Sequence, residues 1–150
     1  MNFENQNRKN QTLVLALLRS QQLFMRAMGP VFRAAGLTAS QWDALETLSH
    51  KGALSINDLM GLTLSTSGNL DVVIKNLIQA GLVEKAVDEQ DRRARVLRLT
   101  EAGRAKVDTF MPVHNEALDK IFGQLTSEEK RQTISTLNRL RKKLPQSKKD

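Results

Sequence analysis

The sequence predicts a mainly helical α+β fold, six helices with one small β-hairpin, on three observations. Apolar residues recur at three- and four-residue spacing through most of the chain, the mark of amphipathic helices. Between Leu82 and Leu99 that spacing gives way to two short apolar runs around D-E-Q-D-R-R, as two strands surround a turn. Glycines and hydroxyl residues stand at the joints between the periodic segments, where they stop and start helices.

The first helix is expected from about Asn10 to Ala35, on Leu13, Leu17, Phe24, Met28, Val31 and Phe32, with Val14, Leu15 and Leu18 widening its apolar face. A face that broad is more than one neighbour requires. Gly29-Pro30 is expected to kink or divide this helix, because Pro30 lacks the N–H that would bond one turn back, and Gly36 ends it. Ser40 can cap a second helix running to about His50, with Trp42, Leu45 and Leu48 on it and Gly52 closing it. Ser55 with Asp58 opens a short third helix, Ile56 to Leu62.

A fourth helix follows Thr63-Leu64, capped by Ser65 or Thr66, and ends at Gly81. On a helical wheel Leu70, Val73, Ile74, Leu77 and Ile78 form its buried stripe, while Gly68, Asn69, Val72, Lys75, Asn76 and Gln79 lie opposite. The strands are expected at Leu82 to Val87 and Arg95 to Leu99. Thr100 caps a fifth helix, Glu101 to about Gly123, bearing Val107, Phe110, Met111, Leu118, Ile121 and Phe122, in which Pro112 predicts a bend. Thr126-Ser127-Glu128-Glu129 is a capping box for a sixth helix to about Leu144, striped by Ile134, Leu137, Leu140 and Leu144. The tail P-Q-S-K-K-D is expected to hold no fixed structure.

A chain of 150 residues fits one domain. Its 23 Lys and Arg against 16 Asp and Glu, a net charge of +7, favour polyanionic partners. The absence of cysteine excludes disulfides, thiolate metal sites and thiol-based redox sensing. The N-terminus is polar without a cleavable pattern. No apolar run reaches the roughly 18 residues of a membrane span, so no membrane partner and a cytoplasmic setting are expected. His50 and His114 are far apart in sequence, a poor basis for a zinc site even with Asp43, Glu46 or Glu116. No metal or cofactor is therefore expected, and each histidine should be a surface or satisfied residue. No nucleophile with its base, no paired carboxylates and no phosphate-cradling glycine loop has recognisable spacing, which argues against an enzyme.

The third and fourth helices, joined by a few residues and followed by a hairpin, describe a winged helix-turn-helix. In such a unit the first residues of the second helix meet base edges in the major groove. Here these are Ser65, Thr66, Ser67, Gly68 and Asn69. An asparagine can pair bidentately with adenine, which makes Asn69 the candidate base reader. Hydroxyls can hold register on phosphates, and Lys75 is placed further along for the same purpose. The hairpin tip gathers Arg92, Arg93 and Arg95 beside Asp91. Arginines there can enter a minor groove narrowed over A·T-rich DNA, with Asp91 pairing to an arginine to hold the tip in shape.

Two motifs carry a resemblance to the MarR family of bacterial transcription regulators that covers nearly the whole chain. They are T-S-G-N-L-D-V-V-I-K-N-L-I-Q-A-G-L-V from Thr66 to Val83, and D-E-Q-D-R-R followed by L-T-E-A-G. The family's wing is usually written D-x-R-D-R-R with L-T-x-x-G behind it. The chain matches at Asp88, Asp91, Arg92, Arg93, Leu99, Thr100 and Gly103, and has Gln90 in place of an arginine, which removes one possible phosphate or intramolecular contact. The resemblance implies a single domain over residues 1–150, with 40–100 as the DNA-binding lobe and 10–36 and 101–144 as dimerisation helices. Independently, the first, fifth and sixth helices carry more apolar surface than one small lobe covers. The resemblance further implies Arg93 in the minor groove with Asp91 orienting it. A two-fold dimer predicts a pseudo-palindromic operator on double-stranded DNA.

Many members of that family release DNA when a small aromatic anion or phenol binds beside the dimer helices. Phe24, Met25, Met28, Trp42, Leu45, Phe110 and Met111 could line such a cleft, and they suit an ordinary core equally well. The leading expectation is a homodimeric repressor; the alternative is a nonspecific or architectural nucleic-acid-binding protein, for which the charge and a basic wing suffice.

Overall fold

Six helices and one antiparallel hairpin follow one another as α1 (Phe3–Ala34), α2 (Ala39–Lys51), α3 (Ile56–Leu62), α4 (Ser67–Gln79), β1 (Val83–Val87), β2 (Arg95–Leu99), α5 (Glu101–Phe122) and α6 (Ser127–Lys143). The structure, a computed structural model, describes residues 3–64 and 67–144. The expected cap at Ser65 or Thr66 and the tail from Pro145 lie outside the described residues. The chain forms two compact units, Met1–Asn115 and Glu116–Asp150.

Helix α1 departs from expectation at its start, and of the two expected effects of Pro30 it does not show division. It begins at Phe3 rather than near Asn10, and it runs unbroken through Pro30. Nothing before Gly29 interrupts a helix, so one that has nucleated propagates toward the terminus. At Pro30 one backbone bond is lost, a cost of about 3 kcal/mol. Burial of Met28 and Phe32 on either side opposes that loss by holding both segments against the same core. Helix α5 likewise runs through Pro112 between buried Phe110 and His114.

Two helices end on glycines for the same geometric reason. Gly36 (φ 68°) and Gly81 (φ 72°) adopt the left-handed conformation. In each case the glycine N–H donates three residues back and the next residue five back, Leu37 to Phe32 and Leu82 to Leu77, all four bonds at 2.9–3.0 Å. This is the glycine stop that satisfies the last free carbonyls. The turn at Gly36 brings Leu37 into the core, which moves the α2 cap from the expected Ser40 to Thr38. Thr38 Oγ1 accepts from the Gln41 N–H at 3.1 Å, and Gln41 Oε1 accepts from the Thr38 N–H at 2.9 Å.

The core of the first unit gathers Met28, Phe32, Leu37, Trp42, Leu45, Leu48, Leu59, Leu70, Leu77, Val83, Leu97, Val107 and Phe110. Its centre is aromatic. Trp42 meets Phe110 edge-on with centroids 4.8 Å apart, and Phe32 and His114 pack beside them. These rings join α1, α2 and α5. Away from this cluster α1 is bare: side chains 5 to 23 are all exposed, Leu13, Val14, Leu18 and Leu23 at more than half of their area.

In the second unit, α6 starts as its capping box predicts. Thr126 Oγ1 accepts from the Glu129 N–H at 3.2 Å, and Glu129 Oε2 accepts from the Thr126 N–H at 2.8 Å. These bonds, first the backbone one and then that from the hydroxyl, hold the Glu129 carboxyl below its ordinary value of 4.5. A depressed carboxyl stabilises the fold above its unfolded pKa and stops doing so as pH falls through the folded one; this cap therefore weakens below pH 4.5. Thr126→Ala is expected to remove about 1 kcal/mol of helix stability, measured as an earlier loss of helicity on heating. None of the side chains on α6 is buried, and the stripe of Ile134, Leu137, Leu140 and Leu144 faces solvent.

Candidate nucleic-acid interface

Helix α3 is only seven residues long and depends on its cap: Ser55 Oγ accepts from the Asp58 N–H at 3.1 Å. Leu59, fully buried, is its anchor. The turn that follows is held from α2, where Asp43 Oδ2 accepts from the Leu64 N–H at 2.8 Å. Helix α4 then presses Leu70, Val73, Ile74 and Leu77 into the core, each no more than 6 % exposed. Ile78, expected in the same stripe, is half-buried. Gly68, Asn69, Val72, Lys75, Asn76 and Gln79 are all exposed. A helix with one buried stripe and an outward face of small and polar residues can enter a major groove without desolvating a large apolar surface.

The hairpin that follows pairs Val83 with Leu99 through Val87 with Arg95. Burial of Val83, Leu97 and Leu99 fixes its base to the lobe. A third segment completes the wing. Leu54, in the link between α2 and α3, exchanges two backbone hydrogen bonds with Leu97, at 3.0 and 2.7 Å. The wing is thereby tied directly to the helix-turn-helix.

The tip, residues 88–94, is shaped by two aspartates acting on the backbone. Asp88 Oδ1 accepts from the Gln90 N–H at 2.9 Å and Asp91 Oδ1 from the Arg93 N–H at 3.0 Å, local turns of the kind aspartate favours. Asp91 therefore holds the tip as expected, but through the Arg93 backbone instead of through a guanidinium. Among the described residues, no ion pair or hydrogen bond engages the guanidinium of Arg92 or Arg93. Arg95 Nη1 lies 3.4 Å from the carbonyls of Arg92 and Ala94, and Arg98 pairs with Glu84 at 2.7 Å nearer the base. Two uncommitted guanidinium groups on a turn held by two aspartates suit an anionic backbone or groove.

Comparison with known proteins agrees with this geometry. A sequence model of the MarR family matches residues 35–94. The chain is 30% identical over 131 residues to the HTH-type transcriptional regulator PecS of Dickeya dadantii, covering 85% of this chain and 79% of PecS. The chain belongs to the MarR family of transcriptional regulators. The homoprotocatechuate degradative operon repressor of Escherichia coli is 25% identical over 126 residues, covering 84% of this chain and 85% of that one. Among solved structures, Bordetella bronchiseptica BpsR, whose DNA binding is regulated by 6-hydroxynicotinic acid, superposes with a TM-score of 0.74 at 28% identity, over 87% of this chain and 92% of its own.

The MarR-type lobe brings most of the sequence candidates together. Ser67, Gly68, Asn69 and Lys75 stand on α4, and Asp91, Arg92, Arg93 and Arg95 at or beside the wing tip. Ser65 and Thr66 fall outside the described residues. Asn69 Nδ2 is turned toward Ser40 Oγ at 3.5 Å, on the flank of α4. The seven candidates for an effector cleft divide. Met28, Trp42, Leu45 and Phe110 are wholly packed in the core, Phe24 and Met111 are half-buried, and Met25 is exposed.

A cleft of about 310 Å³ does open between α1 and α5, lined by Val31, Ala34, Ala35, Lys106, Thr109, Phe110 and Val113. Of the seven candidates only Phe110 reaches it. Lys106, which donates to the Ala35 carbonyl, was not legible as a site residue because that bond joins residues 71 positions apart. Nor was His114 legible: it is buried among rings with no partner for Nδ1, contrary to the expected surface or satisfied histidine, while His50 is exposed. No helix of the described residues is long and apolar enough to cross a membrane.

Proposed function

We propose that this MarR-family regulator is a homodimeric repressor that binds a pseudo-palindromic operator and is released by a small aromatic or phenolic ligand. The carrying observation is the pairing, on one lobe, of an exposed polar face on α4 with two unengaged arginines on a wing tied to it through Leu54 and Leu97. Dimerisation is supported by the exposed apolar residues of α1 and by the unburied stripe of α6. Both faces are too apolar for water alone. Repression is supported by the likeness to the homoprotocatechuate operon repressor, and an aromatic effector by the likeness to BpsR. The cleft between α1 and α5 sets one lysine against an apolar wall, a fit for an aromatic anion.

Selection of binding sites from random duplex DNA at near-physiological salt, where the nonspecific electrostatic part is suppressed, tests the reading. The expected outcome is a consensus with two inverted half-sites about one helical turn apart, bound at least about a thousandfold more tightly than random DNA. Equal affinity for all sequences would replace it with an architectural role.

A further inference from the structure

We infer that Val72 reads the 5-methyl group of a thymine in the major groove, an inference that rests on the regulator reading above. Among the exposed residues of α4, which include Asp71 beside it, Val72 is the one apolar side chain, and it is 55% exposed. At 100° per residue, Val72 lies within about 30° of the direction opposite Leu70 and Leu77, whereas Asn69 lies about 90° from it. Val72 therefore stands at the crest of the helix and Asn69 on its flank, beside Ser40.

The crest is open. A Cβ added to Gly68, one turn earlier, would meet nothing within 4 Å. Lys75 and Asn76 follow at the next turn and are exposed, so a valine here is flanked by groups able to reach phosphate or base edges. Among the four bases only thymine presents an apolar group in the major groove. A β-branched side chain has few rotamers in a helix, so its two methyls are held in place before binding. An exposed valine at the crest thus has one complementary surface in B-DNA.

The test uses the operator recovered by site selection, with each thymine replaced singly by deoxyuridine, which removes the methyl and leaves pairing intact. The wild-type protein is expected to lose about fourfold in affinity at one thymine per half-site, the value of one buried methyl. Val72→Ala, which removes the contact from both half-sites of the dimer, should bind the unmodified operator about sixteenfold more weakly and no longer distinguish thymine from deoxyuridine there. Alanine is the better helix former at an exposed position, and Val72→Thr, which keeps one methyl, should retain part of the discrimination. Specific operator binding that is indifferent to deoxyuridine at every position, or a loss that persists unchanged in Val72→Ala, overturns the assignment and leaves the regulator reading standing. Failure to recover any consensus overturns both.

Discussion

Replacing Arg92 and Arg93 together with alanine is expected to weaken operator binding about a hundredfold per half-site at near-physiological salt, and so up to about ten-thousandfold for a dimer that engages both, at roughly 1.4 kcal/mol for each guanidinium contact removed. It should also reduce the slope of log affinity against log salt by about one for each arginine that neutralises a phosphate. The expectation follows from the structure of the tip. Asp88 and Asp91 commit a carboxylate oxygen each to backbone N–H groups, so among the described residues the two guanidiniums have no acidic partner to leave for DNA. Since both side chains are exposed and unengaged, the double variant should melt like the parent. Anisotropy titrations at several salt concentrations give both quantities. Undiminished affinity with an unchanged salt slope would remove the wing from the interface.

Gly103→Ala is expected to destabilise the protein by about 3 kcal/mol, the upper end of ordinary overpacking, or roughly 6–12 °C in Tm for a chain of this size. A Cβ at Gly103 would lie 1.9 Å from the Leu82 carbonyl oxygen and 2.9 Å from its carbon. That carbonyl also accepts from the Thr100 N–H at 3.1 Å, and Thr100 Oγ1 both donates to the Gly81 carbonyl at 2.6 Å and accepts from the Gly103 N–H at 3.0 Å. The obstruction is backbone and cannot rotate away. The start of α5 and the start of β1 must separate, carrying the base of the wing with them, so DNA affinity should fall along with Tm. Gly61→Ala serves as the control of opposite sign. Nothing lies within 4 Å of its added Cβ, and it sits within α3 without a positive φ, so alanine should stabilise by up to about 1 kcal/mol. Equal Tm values for Gly103→Ala and the parent would show that α5 does not pack this closely.

Most of the candidate interface was legible because its features are local. The α4 stripe repeats every three or four residues, and all six residues placed opposite it are exposed. The caps at Ser55 and Thr126 each join residues three apart. The wing strands lie where alternation places them, except that the first begins at Val83 and leaves Leu82 in the turn. At the start of α2 the local rule was insufficient. The cap expected at Ser40 falls at Thr38, and the decision came from distant contacts: Leu37 is drawn into the core, and Asp43 is committed to Leu64, 21 residues away.

Periodicity, caps and turn residues already specify this chain's helices, its hairpin and the two sets of residues that face DNA in our reading, since each depends on neighbours within one or two turns. Contacts between distant segments were settled by packing. Leu54 became a third strand position against Leu97, Gly103 met the Leu82 carbonyl, and Lys106 reached Ala35. Met28, Trp42, Leu45 and Phe110 went to the core and did not line a cleft, save where Phe110 also borders the one between α1 and α5. An apolar residue at helical spacing carries the same signal whether it will touch a core, a partner or a ligand. Its environment is set by which segments fold against it, and that information lies in the summed burial of the whole unit.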